Sequence, residues 1–238
     1  MINNKLIEIC AGSIEDCATA ELFPVDRIEL NSAIELGGLT PSVGTLIHAK
    51  QVTKLPLCCM VRPRTAGFVY TQHQFESMLF DAELLLENGA DGIVFGFLNE
   101  DTTIDVQRTK QMADLIKSYG KEVIFHKAFD KTPDKIKACE TLIECGVDRI
   151  LTSGGENYPH IEQGFDLLKE LIEKYNDQIT ILVGGGVRAH NIHNIIESTN
   201  CTQIHMTAKE MKDDFGQYAA VSEKNLKEIL SNIKKASQ

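Results

Sequence analysis

Two hydrophobic periods alternate along this chain. Short runs rich in aliphatic and β-branched residues recur about every 20 to 35 residues, at 6–11, 27–31, 57–62, 92–97, 122–128, 149–152, 180–183 and 203–206, and each reads as a buried strand. The segments between them carry helical spacing and their own punctuation. Thr71 is placed to cap a helix running through Leu84, Leu85 and Leu86, with Asn88 and Gly89 as its stop. Lys131, Thr132 and Pro133 open another that ends near Cys145 and Gly146, and 158–175, 188–199 and 222–235 complete the series. Eight strand–helix units, with no composition break between them, predict a single-domain (β/α)8 TIM barrel over 1–238. A doubly wound open sheet is the alternative, but Cys10-Ala11-Gly12-Ser13 after the first strand supplies only one glycine and no dinucleotide fingerprint.

Alternation within the strands then locates polar groups on the inner wall. If Ile28 and Leu30 cover the helical layer, Arg27, Glu29 and Asn31 point inward. The same phase groups Glu8 with Cys10, Cys58 with Met60, Arg62 and Arg64, His126 with Asp130, and Gln203 with His205 and Thr207. Charges inside a barrel cost several kcal/mol each unless paired. Glu8, Glu29, Arg62, His126 and His205 facing one another therefore predict a mutually neutralising cluster at a working site. Arg62, Arg64, Asp130 and Thr207 fall at strand C-terminal ends, the face where this fold carries ligands. Two glycine turns, Ser153-Gly154-Gly155 after the sixth strand and Gly184-Gly185-Gly186 after the seventh, are placed to bring backbone N–H groups to an anion.

Composition narrows the function classes. With 24 Lys and Arg against 34 Asp and Glu, the net charge is −10 and no basic run is present, which speaks against nucleic acid or an anionic membrane as partner. No apolar stretch reaches the length of a membrane span and the N-terminus lacks a secretory pattern, so a cytoplasmic protein is expected. Seven scattered cysteines with no Cys-x-x-Cys read as buried thiols, including the adjacent pair Cys58 and Cys59, which must face opposite layers. His73, His160, His190 and His193 fall on helices or loops and read as surface residues.

Seven ordered segments carry a family resemblance: 27–30 (RIEL), 37–42 (GGLTPS), 61–64 (VRPR), 125–130 (FHKAFD), 151–154 (LTSG), 184–187 (GGGV) and 205–208 (HMTA). Together they resemble the CutC family, named for copper homeostasis. The resemblance implies a cytoplasmic (β/α)8 barrel, self-association as a homodimer, and copper(I) binding with Cys10 as a ligand. The chain departs from that pattern at Asn31, where relatives tend to carry the cysteine that would partner Cys10, at Lys127 in place of arginine, in the loop 65–70, and in a shorter segment between Thr207 and Ser222.

Two readings follow. Copper(I) prefers thiolate and thioether ligands, for which Cys10, Met60 and Cys58 are the inward candidates. The harder set suits an enzyme: Arg62 and Arg64 hold a small carboxylate or phosphate with help from Ser153, Gly154, Gly185 and Gly186, while Glu8, Glu29, His126 and His205 handle protons and Asp130 orients a neighbour. A scaffold role with a vestigial site would show neither ligand.

Overall fold

The computed structural model describes residues 1–156 and 159–236. Eight parallel strands, β1 Leu6–Ala11, β2 Arg27–Leu30, β3 Leu57–Met60, β4 Gly92–Phe95, β5 Glu122–Phe125, β6 Arg149–Thr152, β7 Thr180–Val183 and β8 Gln203–Met206, close into a barrel in sequence order. Closure pairs β1 with β8 in the register Leu6 to Gln203 and Glu8 to His205. All eight predicted strands are present, and four of them (β2 to β5) stop one to three residues earlier than their apolar runs. The runs continue because the residues beyond the last ladder bond, such as Asn31, Arg62, Phe97 and Ala128, remain buried in the loops that fold over the barrel mouth.

Helices follow the strands: α1 Ile14–Glu21, α2 Val43–Val52, α3 Gln72–Glu87, α4 Val106–Ser118, α5 Lys135–Glu144, α6 Phe165–Tyr175, α7 Ile192–Thr199 and α8 Glu223–Lys235. Thr71 caps α3 in a reciprocal capping box with Gln74, and Asn88 ends it. Ser222 caps α8. The α5 helix starts later than expected because Asp134, not Lys131, accepts the first free amide, from Lys137. The α6 helix is preceded by a 3₁₀ turn over Ile161–Gly164, and the expected start at Tyr158 lies outside the described residues.

The strand faces separate as alternation requires. Ile7, Ile9, Ile28, Leu30, Cys59, Phe95, Phe125, Ile150 and Ile204 join the continuous core under the helices, whereas Cys58, Met60, Val94 and Ile124 form a small apolar plug inside the barrel. The seven cysteines are all buried free thiols. One element escaped the sequence pattern: after β8 the chain forms an antiparallel hairpin, β9 Lys209–Asp213 with β10 Gln217–Val221. Its outer strand is exposed throughout. Glu35 accepts the Ala219 amide and Asp16 accepts the Val221 amide at 2.6 Å, tying the hairpin to the first turn of α1 and to the segment after β2.

A candidate ligand site at the barrel mouth

The polar residues on the inner wall form a column in two parts. The lower part is a closed ionic cluster: Arg27 Nε donates to Glu8, Arg27 Nη2 to Gln203 at 3.1 Å, and Arg149 reaches Glu122 at 2.7 Å and Glu8 at 3.7 Å. Burial alone would raise the Glu8 carboxyl. Arg27, His205 and Arg149 outweigh it and hold Glu8 ionised, well below the usual carboxylate range. Glu8, expected from the sequence among the catalytic groups, is thus the counter-ion of two buried arginines and does not line the cavity above it.

The upper part opens to a cavity of about 260 Å³ at the C-terminal ends of the strands. His205 links the two parts: its Nδ1 lies 2.7 Å from Glu8 and its Nε2 4.0 Å from Glu29. Burial pulls the His205 pKa down, but Glu29 and Glu8 together raise it above the usual value. Burial, reinforced by the Glu8 charge, raises Glu29 despite the opposing effect of His205. Asn31 donates to Glu29 Oε2 at 2.8 Å and to Cys10 Sγ at 3.4 Å, fixing all three side chains at the cavity floor.

His126 has the opposite character. Its Nδ1 accepts the Ala128 amide at 3.1 Å, which leaves the proton on Nε2. Burial and then the nearby Arg62 charge push its pKa down to about 3, so the ring is neutral and offers an N–H. The close approach requires Gly96, since a Cβ there would lie 2.5 Å from His126 Cε1.

Arg62, expected from the sequence to hold an anion, lines the cavity, but much of its guanidinium is committed to backbone carbonyls. Its Nη1 donates to the Gly37 and Gly38 carbonyls at 3.0 and 3.2 Å, and its Nη2 to Ala66 at 2.7 Å. Both glycines sit at positive φ, 90° and 81°, which turns their carbonyls toward the guanidinium. Its Nε is buried and has no hydrogen-bond partner. Arg64 leaves the wall altogether: it stacks 4.9 Å over Tyr70 and donates to the carbonyls of Thr65, Gly67 and Val69.

Of the two glycine turns, only the one after β7 reaches the cavity, through Gly185 and Gly186. Ser153 and Gly154 lie outside it. Asp130 instead builds the turn after β6, accepting from Thr152 Oγ1 at 2.5 Å, Ser153 Oγ at 2.9 Å and the Gly155 amide at 3.0 Å. The neighbour-orienting role expected of Asp130 meets a loop here: its hydrogen bonds go to the turn after β6. His73, His160, His190 and His193 are exposed, and Cys58 is sealed into the inner apolar plug.

Residues that alternation does not reach complete the mouth. Phe68 packs on both Arg62 and His126, with Cζ 5.1 Å and ring centroid 4.8 Å away. Lys127, Arg188 and Lys209 bring three cationic side chains to the rim. Lys127 opens a short 3₁₀ turn, Arg188 stands on a loop and Lys209 begins the exposed strand β9, and no apolar period marks any of them. The Gly37-Gly38 pair and the glycines after β7 are local signals nearby.

The fold and this mouth define a member of the large class of parallel (β/α)8 barrel proteins whose ligand site sits above the strand C-termini. Within that class, the sequence model of the CutC family matches residues 5–210, and the chain belongs to the CutC family. It is 46% identical to a family protein CutC of Treponema denticola over 90% of this chain and 85% of that one. It is 38% identical to the human copper homeostasis protein cutC homolog, covering 89% and 76%. A solved CutC structure from Streptococcus agalactiae superposes with a TM-score of 0.79 at 33% identity, covering 86% of this chain and 98% of that one. Phosphoribosyl anthranilate isomerase from Thermococcus kodakaraensis, at 14% identity and a TM-score of 0.63, shares the fold.

Proposed function

We propose that the barrel mouth is an acid–base site for a small anionic substrate, with Glu29 as the proton-transferring group and His126 as a neutral hydrogen-bond donor. One observation carries this. Glu29 Oε1, Asn31 Oδ1, Arg62 Nε and His126 Nε2 are all buried without a hydrogen-bond partner, and all four residues line the same cavity. An unsatisfied buried polar group costs roughly 1–3 kcal/mol, so a ligand that supplies these partners recovers a substantial free energy on binding. The charge pattern supports an anion. In a chain of net charge −10, the cavity gathers Arg62, Lys127, Arg188 and Lys209 against the single carboxylate Glu29. Arg62 contributes by its field and its Nε.

A second reading, copper(I) as cargo, is favoured by the convergence of Cys10, Glu29 and His205, whose ligand atoms lie within 4.8 Å of one another. The chemistry of the set fits it less well. Burial and then Glu29 raise the Cys10 thiol well above its usual pKa, and Asn31 stands where a second thiol would make the site soft. One sulfur with a carboxylate and an imidazole suits a borderline divalent ion better than copper(I).

Histidine NMR separates the readings. On adding inorganic phosphate to the metal-free protein, the neutral Nε2–H signal of His126 is expected to shift and Cys10→Ser to leave that response unchanged. Uptake of one copper(I) that abolishes the His205 signals and is lost in Cys10→Ser, with no response to phosphate, would overturn the proposal in favour of cargo binding.

A further inference from the structure

The unpartnered atoms at the mouth are sorted by kind. Two are donors: Arg62 Nε–H, and His126 Nε2–H, whose tautomer is set by the Ala128 amide. They belong to residues that both pack on Phe68. Two are acceptors, Glu29 Oε1 and Asn31 Oδ1, adjacent because Asn31 Nδ2 donates to the other Glu29 oxygen at 2.8 Å. Across the barrel, since β7 lies opposite β3 in the closed order, the loop after β7 presents Gly185, Gly186 and Arg188, and Lys127 and Lys209 flank it.

We infer that the ligand is a small anion in which a carbonyl group adjoins a hydroxyl-bearing carbon: the carbonyl oxygen accepts from Arg62 and His126, the hydroxyl donates to Glu29 and Asn31, and the anionic group lies on the cationic β7–β8 side. This rests on the acid–base reading and adds the substrate class. A bare phosphate or simple carboxylate satisfies the donors but turns its lone pairs toward Glu29 Oε1 and Asn31 Oδ1. A polyol satisfies the acceptors but gives the paired donors no oxygen that cannot also donate. A hydroxycarbonyl anion meets both halves and the rim. The cavity of about 260 Å³ lies just below the usual range for drug-sized ligands, which limits the ligand to roughly a dozen non-hydrogen atoms.

The pairing also defines a balanced step. Glu29 takes the proton from the hydroxyl-bearing carbon, the C–H electron pair forms a C=C bond, and the carbonyl π pair moves onto oxygen, where the developing charge accepts from His126 and Arg62. The Glu29 proton then returns to the carbon it left, giving back the substrate with its hydrogen exchanged; its return to the neighbouring carbon gives the isomer when the hydroxyl proton passes to the oxyanion. No other reactant is consumed. A neutral imidazole serves here because it stabilises the oxyanion without giving up its proton.

The test uses the whole protein and two matched pairs: dihydroxyacetone phosphate against glycerol 3-phosphate, and hydroxypyruvate against glycerate, each pair differing by carbonyl versus alcohol. By calorimetric titration the carbonyl member of at least one pair is expected to bind about tenfold more tightly. That preference is expected to disappear in His126→Phe and to survive in His126→Gln, which keeps a donor. In D2O the carbonyl member is expected to exchange its carbon-bound hydrogen, with the rate down at least about 100-fold in Glu29→Gln. If both members of each pair bind equally, the substrate class is wrong while the anion site stands. If none of the four binds, the class and the acid–base reading both fall. Carbonyl-selective binding without Glu29-dependent exchange keeps the class and removes the acid–base role.

Discussion

At the scale of single residues, Glu29 and His126 present opposite hydrogen-bonding characters to one cavity, and each character has an identifiable local cause. For Glu29 the cause is burial beside Glu8, and for His126 it is burial together with the Ala128 amide on Nδ1. Replacing Asn31 by Cys places a second thiol beside Cys10 Sγ, which Asn31 now contacts at 3.4 Å. We expect Asn31→Cys to raise copper(I) affinity by at least about tenfold, roughly 1.4 kcal/mol, in competition with a chelator. Unchanged affinity would show that the Cys10 position does not bind copper(I) at all. Much of this residue set is legible in the strand alternation, which places Glu8, Glu29, His126 and His205 inside the barrel. Alternation gives the face and not the depth, so it does not show that Glu8 lies one layer below the cavity, locked to Arg27 and Arg149. Nor does it hold past the last ladder residue, which is why Arg64, four residues beyond Met60, turns away to its own loop.

At the scale of elements, the turn after β6 depends on a single buried carboxylate. Asp130 accepts from two side-chain hydroxyls and from backbone amides and pairs with Lys127 at 3.4 Å. Asp130→Ala leaves these buried donors without a partner, and we expect a loss of about 3–5 kcal/mol of stability in urea unfolding. A loss below about 1 kcal/mol would mean that the loop does not need this anchor. Gly154 is a second point of constraint: it sits at a φ of 72° with its Cα face against the Gly164 backbone. Gly154→Ala should cost at least about 2 kcal/mol in the same assay. The strands and the starts of α3 and α8 were readable, the latter because the caps Thr71 and Ser222 stand directly before apolar periodic runs. The hairpin of β9 and β10 was not. Its exposed strand Lys209–Asp213 buries no side chain, so no apolar alternation records it. It is held from outside, by Glu35 and Asp16.

For the whole molecule, the buried histidines couple stability to pH in opposite senses. His126 has a folded pKa near 3, below its value of about 6.5 in the unfolded chain. The unfolded state therefore binds the extra proton first, and stability falls as pH drops from about 6.5 toward 3. His205 is raised, so its contribution is complete below about 6.5 and fades as pH rises through its folded value. Chemical denaturation across pH should show His126→Phe with a shallower acid limb than the parent. An identical acid limb would contradict the neutral, buried imidazole on which the donor role depends. The charge pattern makes sense only at this scale: an acidic barrel carries a cationic rim at one end, above a neutralised ionic column. The most direct measurement is a high-resolution crystal structure of the metal-free protein grown with 2-phosphoglycolate. The account predicts the phosphate against Gly185 and Gly186 and the carboxylate within hydrogen-bonding distance of His126 Nε2. A compact metal peak bonded to Cys10, Glu29 and His205, with the anion absent from the cavity, would contradict it.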